Sequence, residues 1–167
     1  NHVPVQAPQA FIDKYKGRYD AGWTALRETR RNKAAELGLI PKDTPMVTMA
    51  TTGDWAALNA SEHLYQARLM EVYAAMAESL DHEVGRLIAY LKSTGEYDNT
   101  VFVFLSDNGP EGSDYKEADL WLRLNYSRDL ERLGGKGAYV VPGPSWASAS
   151  ASPLNTFKFY SGEGGIR

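Results

Sequence analysis

The residues best suited to chemistry in this 167-residue chain stand where an apolar run breaks off. Thr100-Val101-Phe102-Val103-Phe104-Leu105 gives way to Ser106-Asp107-Asn108-Gly109-Pro110. Asp107 and Asn108 set a carboxylate beside a carboxamide, hard oxygen donors suited to Ca²⁺ or Mg²⁺ and not to a thiophilic metal. Asp-Asn-Gly-Pro is also good turn chemistry, so the same residues read as an ordinary strand-to-turn junction as well. Lys158 lies between Phe157 and Phe159-Tyr160, ahead of Gly162-Glu163-Gly164-Gly165. A lysine flanked by aromatics serves either interfacial packing or, desolvated, as a cation aimed at an anion. His2, alone near the first residue, reads on its own as an exposed side chain without a role. There is no cysteine, and hence no thiol nucleophile, thiolate metal site or disulfide. Neither a nucleophile-elbow serine nor a His-x-x-x-His pair is present.

The elements that must position these groups follow from patterning. Thr100 to Leu105 is apolar or β-branched at nearly every position without alternation, the mark of a strand covered on both faces, as in the interior of a parallel sheet. In open α/β sheets the C-terminal strand ends are where ligands bind, which is where Asp107 and Asn108 fall. Ahead of the strand, Asn59 with Glu62 matches a capping box. From Leu64 to Leu91 apolar residues recur with a 3.6-residue period, and Gly95 supplies the stop. A helix of this length, on the order of 45 Å, suits the flank of a large α/β sheet. His63 and His82 on it are too far apart to share a ligand and read as structural or exposed. Earlier, Asp20 is expected to cap a helix from Ala21 to about Leu37 with Gly38 as its C′ residue. Arg27, Arg30, Arg31 and Lys33 would lie on its solvated face. Later, an amphipathic helix is expected from about Tyr115 to Leu133, stopped by Gly134-Gly135-Lys136-Gly137. Val141 to Ser152, rich in Ala, Ser and Pro, reads as a loop pinned by Trp146.

Composition bounds the function classes. Hydrophobic residues make up 43% and charged ones 23%, ordinary for a globular domain. Eighteen Lys and Arg scattered among 21 Asp and Glu give a net charge of −3, which argues against a nucleic-acid surface. No apolar run approaches the roughly 20 residues that a membrane span requires. Compartment is left open, with the bacterial periplasm or cytoplasm the expectation.

Three stretches in order resemble the sulfatase family, closest to the bacterial arylsulfatases of the alkaline phosphatase superfamily. They are His2-Val-Pro-Val-Gln-Ala-Pro8 with Lys14-Tyr-Lys-Gly-Arg-Tyr-Asp20-Ala-Gly-Trp23, then Asp98 to Gly109, then Lys158-Phe-Tyr-Ser-Gly-Glu163-Gly-Gly-Ile-Arg167. Met70 to Met76 fits as well. The resemblance implies an α/β fold, part of an alkaline phosphatase-like sandwich whose central, mixed or mostly parallel sheet contains the Thr100–Ser106 strand and is flanked by long helices. It makes Asp107 and Asn108 two ligands of an active-site cation, Ca²⁺ or alternatively Mg²⁺. It makes Lys158 the lysine that holds a sulfate oxygen, and His2 the histidine that protonates the leaving alcohol of a small-molecule or saccharide sulfate ester. The family nucleophile is a formylglycine made within a Cys/Ser-x-Pro-x-Arg motif, and no serine here begins one. Residues 1–167 are therefore expected to be an internal segment of a sulfatase catalytic domain, inactive alone, with the remainder of that domain as its partner. A phosphomonoester, phosphodiester or phosphonate hydrolase of the same superfamily is the alternative enzyme, and a non-catalytic α/β module binding a cation or anion the alternative of another class.

Overall fold

The computed structural model describes residues 3–47, 49–114 and 120–166. Its spine is the helix Ala60–Thr94, preceded by Gln9–Ile12 (α1) and Gly22–Glu36 (α2), and therefore α3. Both α3 termini are as the sequence predicts. Asn59 Oδ1 accepts the Ser61 and Glu62 N–H groups at 3.0 Å, and Glu62 Oε2 accepts the Asn59 N–H at 2.8 Å, so the orphan donors of the first turn are satisfied reciprocally. At the other end Gly95 takes a left-handed φ of 77°, which costs a residue without Cβ nothing. Three short helices follow: Leu120–Asn125 (α4), Gly143–Ala151 (α5) and Glu163–Ile166 (α6).

The first half of α3 is buried on two sides. One core gathers Val5, Ile12, Leu69, Val72, Ala75, Leu133 and Val140. The other is built on Trp23, Met70, Trp146 and Ala149, with Tyr19 and Trp55 at its edge. In the second, Trp23 meets Trp55 and Trp146 edge to face at 4.7 and 5.5 Å. The buried indole N–H groups reach the Gly53 and Gln66 carbonyls at 2.8 and 2.9 Å, as buried tryptophans require. His63 stacks on Trp55 at 4.6 Å and His82 meets Phe11 edge-on at 5.7 Å, packing roles consistent with the sequence reading.

Several expectations are corrected. α2 begins at Gly22, and its first turn has no side-chain cap, so Asp20 does not serve as one; the chain enters the helix through a left-handed Gly22, φ 79°. The predicted stop holds: Gly38 N–H reaches the Ala35 carbonyl and Leu39 N–H the Ala34 carbonyl. The arginines of α2 are not a solvated face. Arg27 donates to the Val47 carbonyl, Arg30 to that of Ser150 at 3.0 Å, and Arg31 to those of Lys42 and Thr44 at 2.7 and 2.6 Å. Their fork of donors satisfies carbonyls of the 42–47 loop and of the last turn of α5. The predicted helix over 115–133 amounts to α4 among the described residues. It ends where the Ser127 hydroxyl hydrogen-bonds Asp129 at 2.8 Å and Ser127 bridges Ala138, a local side-chain bond that competes with helix continuation. The Ala/Ser-rich run, which reads as a loop in the sequence, is instead α5, packed on α2. Small side chains let it approach closely, and Trp146 is fully buried, as its pinning role anticipated.

The largest difference lies at residues 100–106. They carry no ladder, and no β-strand occurs among the described residues, so the predicted sheet is not seen. Val101, Val103, Phe104 and Leu105 are 74–89% exposed. The cause is physical: a strand's polar backbone needs a neighbouring strand, and no described segment runs beside this one. The second half of α3 is likewise uncovered, with Leu87 and Tyr90 exposed.

Candidate active site

The chain from Ser106 to Ser113 is laid against the chain from Asn155 to Ile166. Gly109 N–H donates to the Gly165 carbonyl at 2.9 Å, and Lys158 N–H to the Pro110 carbonyl at 3.0 Å. The approach is close enough to exclude side chains. A Cβ on Gly109 would lie 1.8 Å from the Gly164 oxygen, and one on Gly112 would lie 2.2 Å from the buried Phe157 ring. The glycines of Asp-Asn-Gly and Glu-Gly-Gly are thus two halves of one backbone contact. Each also belongs to a stretch that carries the family resemblance.

This contact brings Asp107, Asn108 and Lys158 to one cleft of about 280 Å³, although 50 positions separate Asn108 from Lys158. Ser106, Gly109, Pro110 and Glu111 also line it, and Val3, Val5, Tyr73 and Met76 contribute apolar wall. Tyr73 and Met76 come from α3, whose Met and Tyr stripe reads as core from periodicity alone. The Ser106 hydroxyl donates to the Asn108 carbonyl at 2.6 Å, tightening the turn that presents Asp107 and Asn108. Asp107 is exposed and Asn108 half-buried. His2 lies outside the described residues.

Lys158 sits on a constrained loop. Thr156 and Phe159 both hold left-handed backbone, φ 66° and 80°, conformations that cost a residue with a Cβ and collect at functional sites. The Lys158 ammonium lies 3.3 Å from Glu111 Oε2 and 5.4 Å from the Phe159 ring centroid. Glu111 is the residue that sequence reasoning missed. Its partner is 47 positions away, so no local pattern marks it. Burial pushes the Glu111 carboxyl up, but the hydroxyl and N–H of Ser113 and the Lys158 ammonium outweigh it and hold the group below the usual carboxylate range.

Asp107 and Asn108 supply hard oxygens on adjacent residues, the right kind for Ca²⁺ or Mg²⁺, yet such ions take six or more oxygen ligands. No group of three or more His, Cys, Asp or Glu that could hold a metal occurs among the described residues. The donors fit in kind and supply part of a shell.

The chain matches the Sulfatase family model over residues 1–156. It is 43% identical to an uncharacterized sulfatase of Schizosaccharomyces pombe, covering 99% of the chain and 31% of that protein. It is 38% identical to an arylsulfatase of Klebsiella aerogenes, covering 99% and 36%, and 28% identical to a sulfatase of Formosa agariphila, covering 92% and 24%. The chain therefore spans about a third or less of the length of these relatives. Sulfatases act on sulfate esters and have an alkaline phosphatase-like α/β fold, whose sheet has no counterpart among the residues described here. With the family model matching residues 1–156, through α5 and the turn beyond it, the chain belongs to the sulfatase family.

Proposed function

We propose that this chain is an internal segment of a sulfatase catalytic domain, supplying the cation-binding and sulfate-binding side of the active site. The reaction is hydrolysis of a sulfate ester, giving an alcohol or phenol and sulfate. The observation that carries this reading is the convergence of Asp107, Asn108 and Lys158 on one cleft. Asp107 and Asn108 would hold a divalent cation, Ca²⁺ in the first instance, which when bound withdraws charge from the sulfate oxygens. Lys158 neutralises a further sulfate oxygen, its attraction for an anion less screened by water because the side chain is 20% exposed. His2 donates a proton to the oxygen of the departing alcohol, so that a neutral hydroxyl leaves instead of an alkoxide.

These residues bind, orient and protonate, but the chain contains no Cys/Ser-x-Pro-x-Arg motif to yield a formylglycine. We assign the nucleophile to the part of the catalytic domain that this chain does not span, and expect residues 1–167 alone to be inactive. The same remainder would cover Val101–Leu105 and pair with that segment as an inner strand. The apolar exposure of these residues supports this, as does the chain's coverage of about a third of its relatives.

The test is substitution in the full-length enzyme. Asp107→Ala and Asn108→Ala should each lower calcium affinity by calorimetry, and kcat toward an aryl sulfate, by roughly 100-fold or more. Even residues that merely support metal ligands cost 10–100-fold. Unchanged activity in both variants rules out the metal assignment.

A further inference from the structure

Lys158 is aimed by its surroundings. Glu111 commits both carboxylate oxygens: Oε1 accepts the Ser113 N–H at 2.8 Å, and Oε2 lies 3.3 Å from Lys158 Nζ. The two side chains are 12% and 20% exposed, so the pair is largely shielded from water, where a charge-assisted bond is strong. The main chain holds the pair at both ends. Lys158 N–H bonds the carbonyl of Pro110, the residue before Glu111, and the Phe157 ring fills the space that a Gly112 side chain would take. A lysine's flexible four-carbon stem has many rotamers, and a fixed carboxylate selects among them. The ammonium's three N–H donors let it serve more than one acceptor.

We propose that Glu111 is a positioning residue, holding the Lys158 ammonium in the cleft beside Asp107 and Asn108 where it meets a sulfate oxygen. The proposal rests on the reading of Lys158 as a sulfate-binding residue. A rival role for Glu111 is structural, bracing the 106–113 turn through Ser113 alone. The two differ in what they couple to: positioning acts only through Lys158, whereas bracing acts on Asp107 and Asn108 whether or not Lys158 is present.

The experiment is a double-mutant cycle in the full-length enzyme, with kcat/KM toward an aryl sulfate and calcium affinity as readouts. Glu111→Gln keeps the shape and the acceptor for Ser113 but removes the charge. It should lower kcat/KM roughly 10- to 100-fold, the loss typical of a reacting group displaced by about 1 Å, with calcium affinity unchanged. Lys158→Ala should lose at least as much, and the double variant no more than Lys158→Ala alone. Glu111→Asp, which keeps the charge but draws it back by one methylene, should give an intermediate loss, and supplies a second reading should the Gln variant fold poorly. Wild-type kcat/KM in both Glu111 variants overturns the proposal and leaves the role of Lys158 standing. Losses that multiply in the double variant, or a parallel fall in calcium affinity, overturn it, because Glu111 then acts by a route that does not pass through Lys158. Wild-type activity in Lys158→Ala overturns the sulfate-binding role itself and the proposal with it.

Discussion

Replacing Gly109 with alanine tests whether backbone contact assembles this site. The new Cβ would stand 1.8 Å from the Gly164 oxygen, 2.8 Å from the Gly164 carbonyl carbon and 3.1 Å from Gly165 Cα. Real Cβ contacts essentially never fall under 3.0 Å, so the two strands of chain must part by at least about 1.2 Å. Because the neighbour is main chain, no rotamer change absorbs the overlap, and forced shifts of this kind cost about 1–3 kcal/mol. The Gly109 N–H to Gly165 carbonyl bond, 2.9 Å long, is stretched or lost for about 1 kcal/mol more. Against this, alanine restricts the unfolded chain and returns roughly 0.4–1 kcal/mol. Gly109 has no left-handed φ, so backbone strain adds nothing. The net is a destabilisation of about 1–3.5 kcal/mol, or a fall in Tm of roughly 2–14 °C for a chain of this size. The assay is thermal and urea unfolding of the 167-residue chain, with Gly85→Ala as control. Gly85 is exposed in α3 and a Cβ there meets nothing within 4 Å, so that variant should gain about 1 kcal/mol from helix propensity. A Gly109→Ala variant that melts with the wild type would refute the contact between the two glycine turns, and with it the account of how Asn108 and Lys158 meet.

Two further outcomes follow from the same structure. Glu111 has a folded pKa held below its ordinary value of 4.5, so its carboxylate contributes stability that is present above about pH 4.5 and is lost as pH falls through the lowered folded value. Urea midpoints of the wild type should decline across that acid window, and Glu111→Gln should flatten the decline; equal slopes in both would count against the ion pair. Separately, the uncovered run Val101–Leu105 combines high β-propensity with no charge, the pattern of an aggregation-prone segment. The 167-residue chain should self-associate with rising concentration in sedimentation velocity. Val103→Lys, at a 78% exposed position, should suppress this without moving the unfolding midpoint, and undiminished association would place the contact elsewhere.

The sequence by itself determined what is local. The span and both ends of α3 were legible because the Asn59–Glu62 box and Gly95 satisfy backbone groups within a few residues of themselves. The Gly38 stop was legible for the same reason. Asp107, Asn108 and Lys158 were legible as candidates from residue type, and as an ordered set from the family resemblance. Propensity misled where packing decided: the Ala/Ser-rich run became a buried helix because α2 and the tryptophan cluster reward small side chains there. The α2 arginines proved to be staples because the carbonyls they satisfy belong to segments as distant as Ser150. Only the tertiary structure decided that Asn108 and Lys158 share a cleft and that Glu111 stands between Ser113 and the Lys158 ammonium. Gly109 shows the reason. In sequence it is a turn residue, but in the fold it is the point where one backbone rests on another. An interaction between groups some 50 positions apart leaves no periodic trace in either neighbourhood, and becomes visible only once the chain has closed that loop.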